Sequence, residues 1–440
     1  QWSCCSASDA TRCTLKWSAQ LTQIPQQEPQ HNCRFQSAPC NIMGWGLQKA
    51  ERDAVLSNCL ITASGKAKAS KAKPKAKAGA ISAAVAVADM NAKIRQKAVD
   101  VSGGAVRLSM HRVVRNVVRE VAKDASEHMI LVFDAPCVMP AVRSVLWKTR
   151  YGAGGAAAGP KPADIQAAIA FCERAQTSTA AAKESPPVSY QTMFTPGPAK
   201  RATWGAMMLI AKREAAVVAA EQGIRATVVD ADNVVFDTAG PDTLLAGWTP
   251  ATQSYGEADL KIYALGQAAA SGDDPKAVVL HSVDTDLILQ AVATCGDPKA
   301  PAWIPRRDFI IKLKTCTVDG RELMCTFGGR SVAKRLNSAF WFVMAGGTDY
   351  SRPASDQGYA KRSLVDAAHP LCVSAAPFTD EGPADARTVL AQLKNTRKVA
   401  RTVCGKAKRS NRSLQKCLRQ AAAVVQYYGL YNTDPYVALF

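Results

Sequence analysis

The chain has 440 residues, 48% hydrophobic and 21% charged, which is enough apolar material for one large or two to three ordinary domains. No apolar run approaches the roughly 18–20 residues of a membrane-crossing helix, and fourteen cysteines are too dilute for a disulfide-built scaffold. The net charge of +19 is unevenly spread. Residues 1–80 hold 11 Lys/Arg against 4 Asp/Glu and residues 387–440 hold 11 against 1, leaving 33 against 31 between them, so two basic ends flank a near-neutral body and a polyanionic partner is the leading inference.

In chain order, residues 1–64 are polar, bear Gln and Cys, and have weak periodicity, so poor order is expected there. Gly65–Ala80, GKAKASKAKPKAKAGA, sets six lysines on a thin apolar background that cannot fold alone. It resembles a linker-histone tail and suits a flexible phosphate-binding or nuclear-targeting arm. Residues 1–90 are thus expected to be an N-terminal region outside the core. From Ala92, KIRQKAVDVS reads as a short buried strand. Val106–Lys123 reads as a helix with valines at helical spacing, and His128–Pro136, HMILVFDAP, as a second strand. The amphipathic VRSVLWKTR follows, and residues 152–200 read as an insertion or mobile cap (about 141–200 in all) with one short helix near Ile165–Arg174. Gly205–Gly223 is a helix with a glycine stop, leading into the strand RATVVDAD. A helix over Glu257–Ala270, a strand over Ala277–Asp286, a strand-like pair FIIKLKTCTV and ELMCTF, and a helix over Ala333–Gly346 complete the core. The alternation predicts an α/β three-layer sandwich on a mostly parallel central sheet over residues 91–350, with a helical basic region over 351–440.

Ligands of such folds sit at the carboxyl ends of the strands, so acids that end strands or begin helices are singled out. These are Asp100, Asp134, Glu257, Asp259, Asp284, Asp286 and Asp349. Any one of them alone is better read as a helix cap or a surface residue. Seven converging carboxylates would repel unless divalent cations neutralised them, and hard oxygen ligands suit Mg²⁺ or Mn²⁺. Two such ions are the usual device for phosphodiester hydrolysis.

VFDAP, SYGEADLKIYAL, HSVDTDLIL and FWFVMAGGTDYSR resemble, in order, acidic motifs of the flap endonuclease/XPG superfamily of 5′ nucleases, which have a PIN-like fold; KAVDVSGGAVRL is a less distinctive match to the first. GEADLKI is also similar to the 5′–3′ exoribonuclease branch and to virus-encoded mRNA-degrading relatives. The resemblance implies a two-metal nuclease in which Asp100, Asp134, Glu257 and Asp259 serve one ion and Asp284, Asp286 and Asp349 the other. Arg143, Lys148 and Arg150 are implied to grip the scissile phosphate and 5′ strand, with Lys200 and Arg201 as weaker candidates. Lys361 and Arg362, beside Gly358, are a faint echo of the family's duplex-binding hairpin. The expected substrate is DNA with a flap or junction. RNA is the alternative within the superfamily, and a non-catalytic nucleic-acid-binding protein is the alternative of another class. The implied setting is nuclear, or that of a viral protein in a host cell.

Other signals are weaker. GAGGAAAG, Gly152–Gly159, follows a basic run instead of a buried strand and reads as linker. Cys4, Cys5, Cys13, Cys33 and Cys40 with His31 lack CxxC spacing, so zinc is disfavoured. No Ser or Cys lies in a nucleophile motif, and Gln426–Tyr431 is a poor sliding-clamp motif. His281 reads as a core residue, and Tyr427 and Tyr428 as packing residues of a terminal helix more than as base-stacking platforms.

Overall fold

The strand AAVAVAD, Ala83–Asp89 (β2), is buried over nearly its whole length, as the apolar interior of a sheet covered on both faces requires. The structure is a computed structural model and describes residues 52–53, 56–61, 82–101, 107–134, 160–231, 234–240, 258–271, 273–295, 300–348, 351, 378 and 411–430, with the side chains at 99–101, 345, 411–416 and 430 excepted. The other strands are β1 (Leu60–Ile61), β3 (Ala125–Val132), β4 (Arg225–Val229), β5 (Val235–Asp237), β6 (Val278–His281), β7 (Phe309–Lys312) and β8 (Thr317–Asp319). They form one mixed sheet in the order β1–β8–β7–β6–β2–β3–β4–β5. The five central strands, β7 to β4, are parallel, whereas the pairings β1–β8, β8–β7 and β4–β5 are antiparallel.

Side chains alternate between the two faces with period two. Val85, Val87, Ile130, Val132, Val278 and Leu280 enter one core, while Ala86, Ala88, Met129, Leu131, Val228 and Val279 enter the other. The second core is roofed by α1 (Met90–Val101), α2 (Met110–Ala122), α3 (Pro162–Thr177), α4 (Thr179–Lys183), α5 (Tyr190–Met193) and α6 (Pro198–Gln222). The first is roofed by α7 (Ala258–Ser271), α8 (Asp286–Ala293), α9 (Gly320–Thr326), α10 (Val332–Gly346) and α11 (Asn411–Leu430). Helices, sheet and helices make three layers.

Packing outweighs capping in these helices. Ser109 caps α2 by accepting from the Arg112 N–H at 3.3 Å, worth about 1 kcal/mol. Val113, Val114, Val117, Val118 and Val121 of the same helix are fully buried, at about 1.5 kcal/mol or more each. In α6, Pro198 begins the helix and Gly223 ends it in the left-handed conformation, φ 67°.

Four sequence expectations are corrected. Residues 92–101 form the helix α1, not a strand: Met90, Ile94 and Ala98 recur every fourth residue and bury together. The first strand of the core is β2, upstream of the expected boundary at residue 90. ELMCTF lies in α9, not a strand, because the Asp319 side chain accepts from the Glu322 N–H at 3.0 Å and nucleates a turn there. Residues 162–193 are not a cap over the core but part of it, with Phe171, Cys172 and Met193 almost wholly buried against α6. Residues 1–51, the lysine arm, residues 135–159 and most of the C-terminal region lie outside the described residues.

Candidate active site

The order of the parallel strands fixes where a ligand would bind. The chain leaves β2 toward β3 and β4 on one side, then crosses to β6 and β7 on the other, so the direction of winding reverses at β2–β6. Open α/β sheets bind ligands in the crevice beyond the carboxyl ends of the strands at such a reversal. Four acids stand at the ends that border it or on the adjoining helix: Asp89 ends β2, Asp134 follows β3, Asp284 follows β6, and Asp259 lies in the first turn of α7.

Each of these carboxylates is oriented by the chain. Asp89 Oδ1 accepts from the Ala92 N–H at 3.0 Å, and its Oδ2 lies 3.5 Å from the Ser282 hydroxyl. Ser282 Oγ in turn accepts from the Asp284 N–H at 3.0 Å, and Asp284 Oδ1 from the Asp286 N–H at 2.9 Å. Across the crevice, Asp134 Oδ1 accepts from the Ala258 N–H at 2.7 Å, at the start of α7, and the Asp134 N–H donates to Asn91 Oδ1 at 3.3 Å. Asp259 Oδ2 accepts from the Gln290 amide at 3.0 Å, and Asp286 Oδ2 from the Tyr428 hydroxyl at 2.9 Å. Asp286 and Gln290 both belong to α8, so one helix ties the two groups of acids together. The positive ends of the α7 and α8 dipoles face Asp259 and Asp286 and reduce the cost of burying them.

The electrostatics set this group apart from ordinary helix caps. Asp89 is 6% exposed. Burial pushes its carboxyl well above the usual range, the charge of Asp134 pushes it further, and Asp259 and Asp284 add to that against the pull of the Ala92 N–H. One buried carboxyl therefore feels three others. The buried Lys261 ammonium donates to the Phe133 carbonyl at 3.0 Å, next to Asp134. Hard oxygen donors of this kind suit a divalent cation of the Mg²⁺ class, which Asp89, Asp134, Asp259 and Asp284 would hold. Among the described residues, no three Asp, Glu, His or Cys side chains already stand close enough to enclose one ion. Glu257 and Asp349 lie outside the described residues.

Asp100 is displaced from the role the sequence suggested. It lies in the last turn of α1, about 15 Å along the helix axis from the strand end, and the acid that ends the strand is Asp89. Asp286 Oδ2 accepts from the Tyr428 hydroxyl, which braces the start of α8. Arg143, Lys148, Arg150, Lys361 and Arg362 lie outside the described residues, while Lys200 and Arg201 sit in the first turn of α6. His281 is fully buried with Nε2 3.2 Å from Asp124 Oδ2, and burial pushes its pKa down, as for a core histidine. Of the N-terminal cysteines, only Cys59 is described: its thiol is buried, is pushed up to about 11 by that burial, and lies 3.8 Å from Thr326 Oγ1.

Asp89, Ser282 and Gln290 were not singled out by the sequence, and Tyr428 was read only as a packing or base-stacking residue. Asp89 carried the same signal as Asp134, an apolar run closing on an acid, but it falls within residues 1–90, which were expected to lie outside the core. No protein-family model matches the chain, and no curated protein matches it in sequence.

Proposed function

We propose that the chain is a metal-dependent 5′ nuclease with a PIN-like core of the flap endonuclease/XPG kind, hydrolysing phosphodiester bonds at flaps or junctions in DNA. The observation that carries this reading is the buried Asp89 under the charge of Asp134, Asp259 and Asp284 at the reversal point of the sheet. When bound, Mg²⁺ or Mn²⁺ supplies a water of lowered pKa and neutralises charge on the phosphate. Asp89, Asp134, Asp259 and Asp284 hold the ions, joined by Glu257 and Asp349 on the strength of the motif resemblance. Gln290 fixes the rotamer of Asp259, and Ser282 spaces Asp89 from Asp284. Tyr428 and Asp286 anchor the start of α8, so that the Asp284 turn is held from behind. The basic terminal regions add phosphate contacts, which position a substrate without choosing its sequence.

The test is cleavage of 5′-labelled flap DNA and of single-stranded RNA with Mg²⁺ by the wild type and Asp284→Asn. The wild type should cut the DNA, and the variant should be slower by about 10²-fold or more. Preference for the RNA would move the chain to the exoribonuclease or mRNA-endonuclease side of the superfamily. Undiminished cleavage by the variant would remove the acids from the chemistry.

A further inference from the structure

A second charged feature lies on the outer face of α2. The buried valines of this helix turn inward, which leaves Ser109, Arg112, Arg115, Asn116 and Arg119 along one stripe. With Lys183 at the end of α4 they line an open cleft of about 520 Å³. Arg112, Arg115 and Arg119 lie three and four residues apart, so their Cα atoms climb the helix axis in steps of about 4.5 and 6 Å.

The acids nearby do not cancel this charge. Arg115 Nε is 3.7 Å from Glu214 Oε2, whose partner oxygen is 2.8 Å from His111 Nε2, and Arg119 is paired with Glu221 at 2.8 Å. Arg112 and Lys183 have no carboxylate within 4.0 Å among the described residues, and both are exposed. Glu184, next to Lys183, is 4.0 Å from Arg174 instead. Four cations against Glu214 and Glu221 leave an excess of two.

We infer that this cleft is a binding site for the phosphates of one nucleic-acid strand, separate from the acidic crevice. A compact anion would be met by groups converging on a point. Here the arginines are spaced along a helix axis, which suits a linear polyanion, and arginine's planar fork suits phosphate oxygens. The inference rests on the nuclease reading for the identity of the polyanion, and it adds a place where the strand is gripped.

The experiment measures binding alone. Full-length protein in EDTA is titrated with a fluorescently labelled single-stranded oligonucleotide between about 50 and 200 mM salt. Arg112→Gln with Lys183→Gln removes the two unmatched charges and leaves the Glu214 and Glu221 pairs intact. The slope of log affinity against log salt should become shallower by about 1.4, two phosphate contacts at about 0.7 each. The same charge removed at the exposed Arg306 and Arg307 should leave the slope at its wild-type value. A wild-type slope in the cleft variant overturns the inference, as does an equal change in the control pair. Binding of poly-glutamate, but not the oligonucleotide, through Arg112 and Lys183 would assign the cleft to an acidic protein and also overturn it. Asp284→Asn should bind like the wild type, so a loss of cleavage chemistry and a loss of this grip are read separately.

Discussion

Tyr428 illustrates how much of the candidate site depends on one side chain from the far end of the chain. It is fully buried, and its hydroxyl donates to Asp286, 142 positions earlier. Asp286 begins α8, and its N–H is held by Asp284. Tyr428→Phe keeps the ring in place and removes only the hydroxyl. The expected result is a stability loss of about 1 kcal/mol and cleavage slowed about 10–100-fold, with more Mg²⁺ needed for half-maximal rate, as for groups that orient metal ligands. Unchanged rate and Mg²⁺ requirement would reduce Tyr428 to packing. The sequence favoured packing for this tyrosine, and its burial agrees. The hydrogen bond to Asp286 was invisible there, because no periodicity links residues so far apart.

At the scale of elements, α8 is clamped at both ends. At its carboxyl end the buried Arg335 donates to the carbonyls of Ala291 and Val292, at 2.7 and 2.9 Å, and the Cys295 N–H bonds to the Gly429 carbonyl at 3.1 Å. A Cβ on Gly429 would stand 2.7 Å from the Ala293 carbonyl oxygen, which is why α11 carries a glycine where it meets α8. On the opposite face, α1 and α2 are joined through Glu120, which meets Lys93 at 2.5 Å and Lys97 at 3.0 Å. Burial pushes the Glu120 carboxyl up, but the hydrogen bonds and charges of Lys93 and Lys97 outweigh it and hold it down at about 2. The carboxylate's contribution to stability is therefore complete above the ordinary Glu value of about 4.3 and is lost as pH falls toward 2. Glu120→Gln should cost on the order of 2 kcal/mol at pH 7, after discounting for the carboxylate's partial exposure. The difference from wild type should shrink as chemical denaturation is repeated at pH values falling through 4 toward 2. A difference independent of pH would show that the pair does not carry the stabilisation.

For the whole molecule, what the sequence made legible follows from physics of short range. Valine spacing in α2, the glycine stop of α6 and the apolar runs of β3, β4 and β6 are local signals, and the elements lie close to where those signals put them. The three-layer α/β arrangement followed from their alternation. Two errors had local causes as well: alanine has weak strand preference, so AAVAVAD was passed over, and the Asp319 cap begins a helix in the segment ELMCTF that had read as strand-like. The site was legible as a set of acids at strand ends, but the choice between Asp89 and Asp100 required knowing which segment was the strand. The division of charge has also gained detail. The body, nearly neutral in sum, holds acids at the strand ends and a basic cleft on α2, so its small net charge does not mean an even distribution. Both are needed if a polyanionic strand is to be held near groups that would otherwise repel it.

Asp89 and Asp100 give the most direct test, since each variant removes one carboxylate and only one of the two ends a strand. The measurement is the initial rate of 5′-flap DNA cleavage with Mg²⁺ for the wild type, Asp89→Asn and Asp100→Asn, each verified as folded by circular dichroism. The acidic crevice predicts a rate lower by about 10²-fold or more for Asp89→Asn and close to wild type for Asp100→Asn. Cleavage that survives the loss of Asp89, or that fails with the loss of Asp100 alone, would contradict the placing of the chemistry at the end of β2.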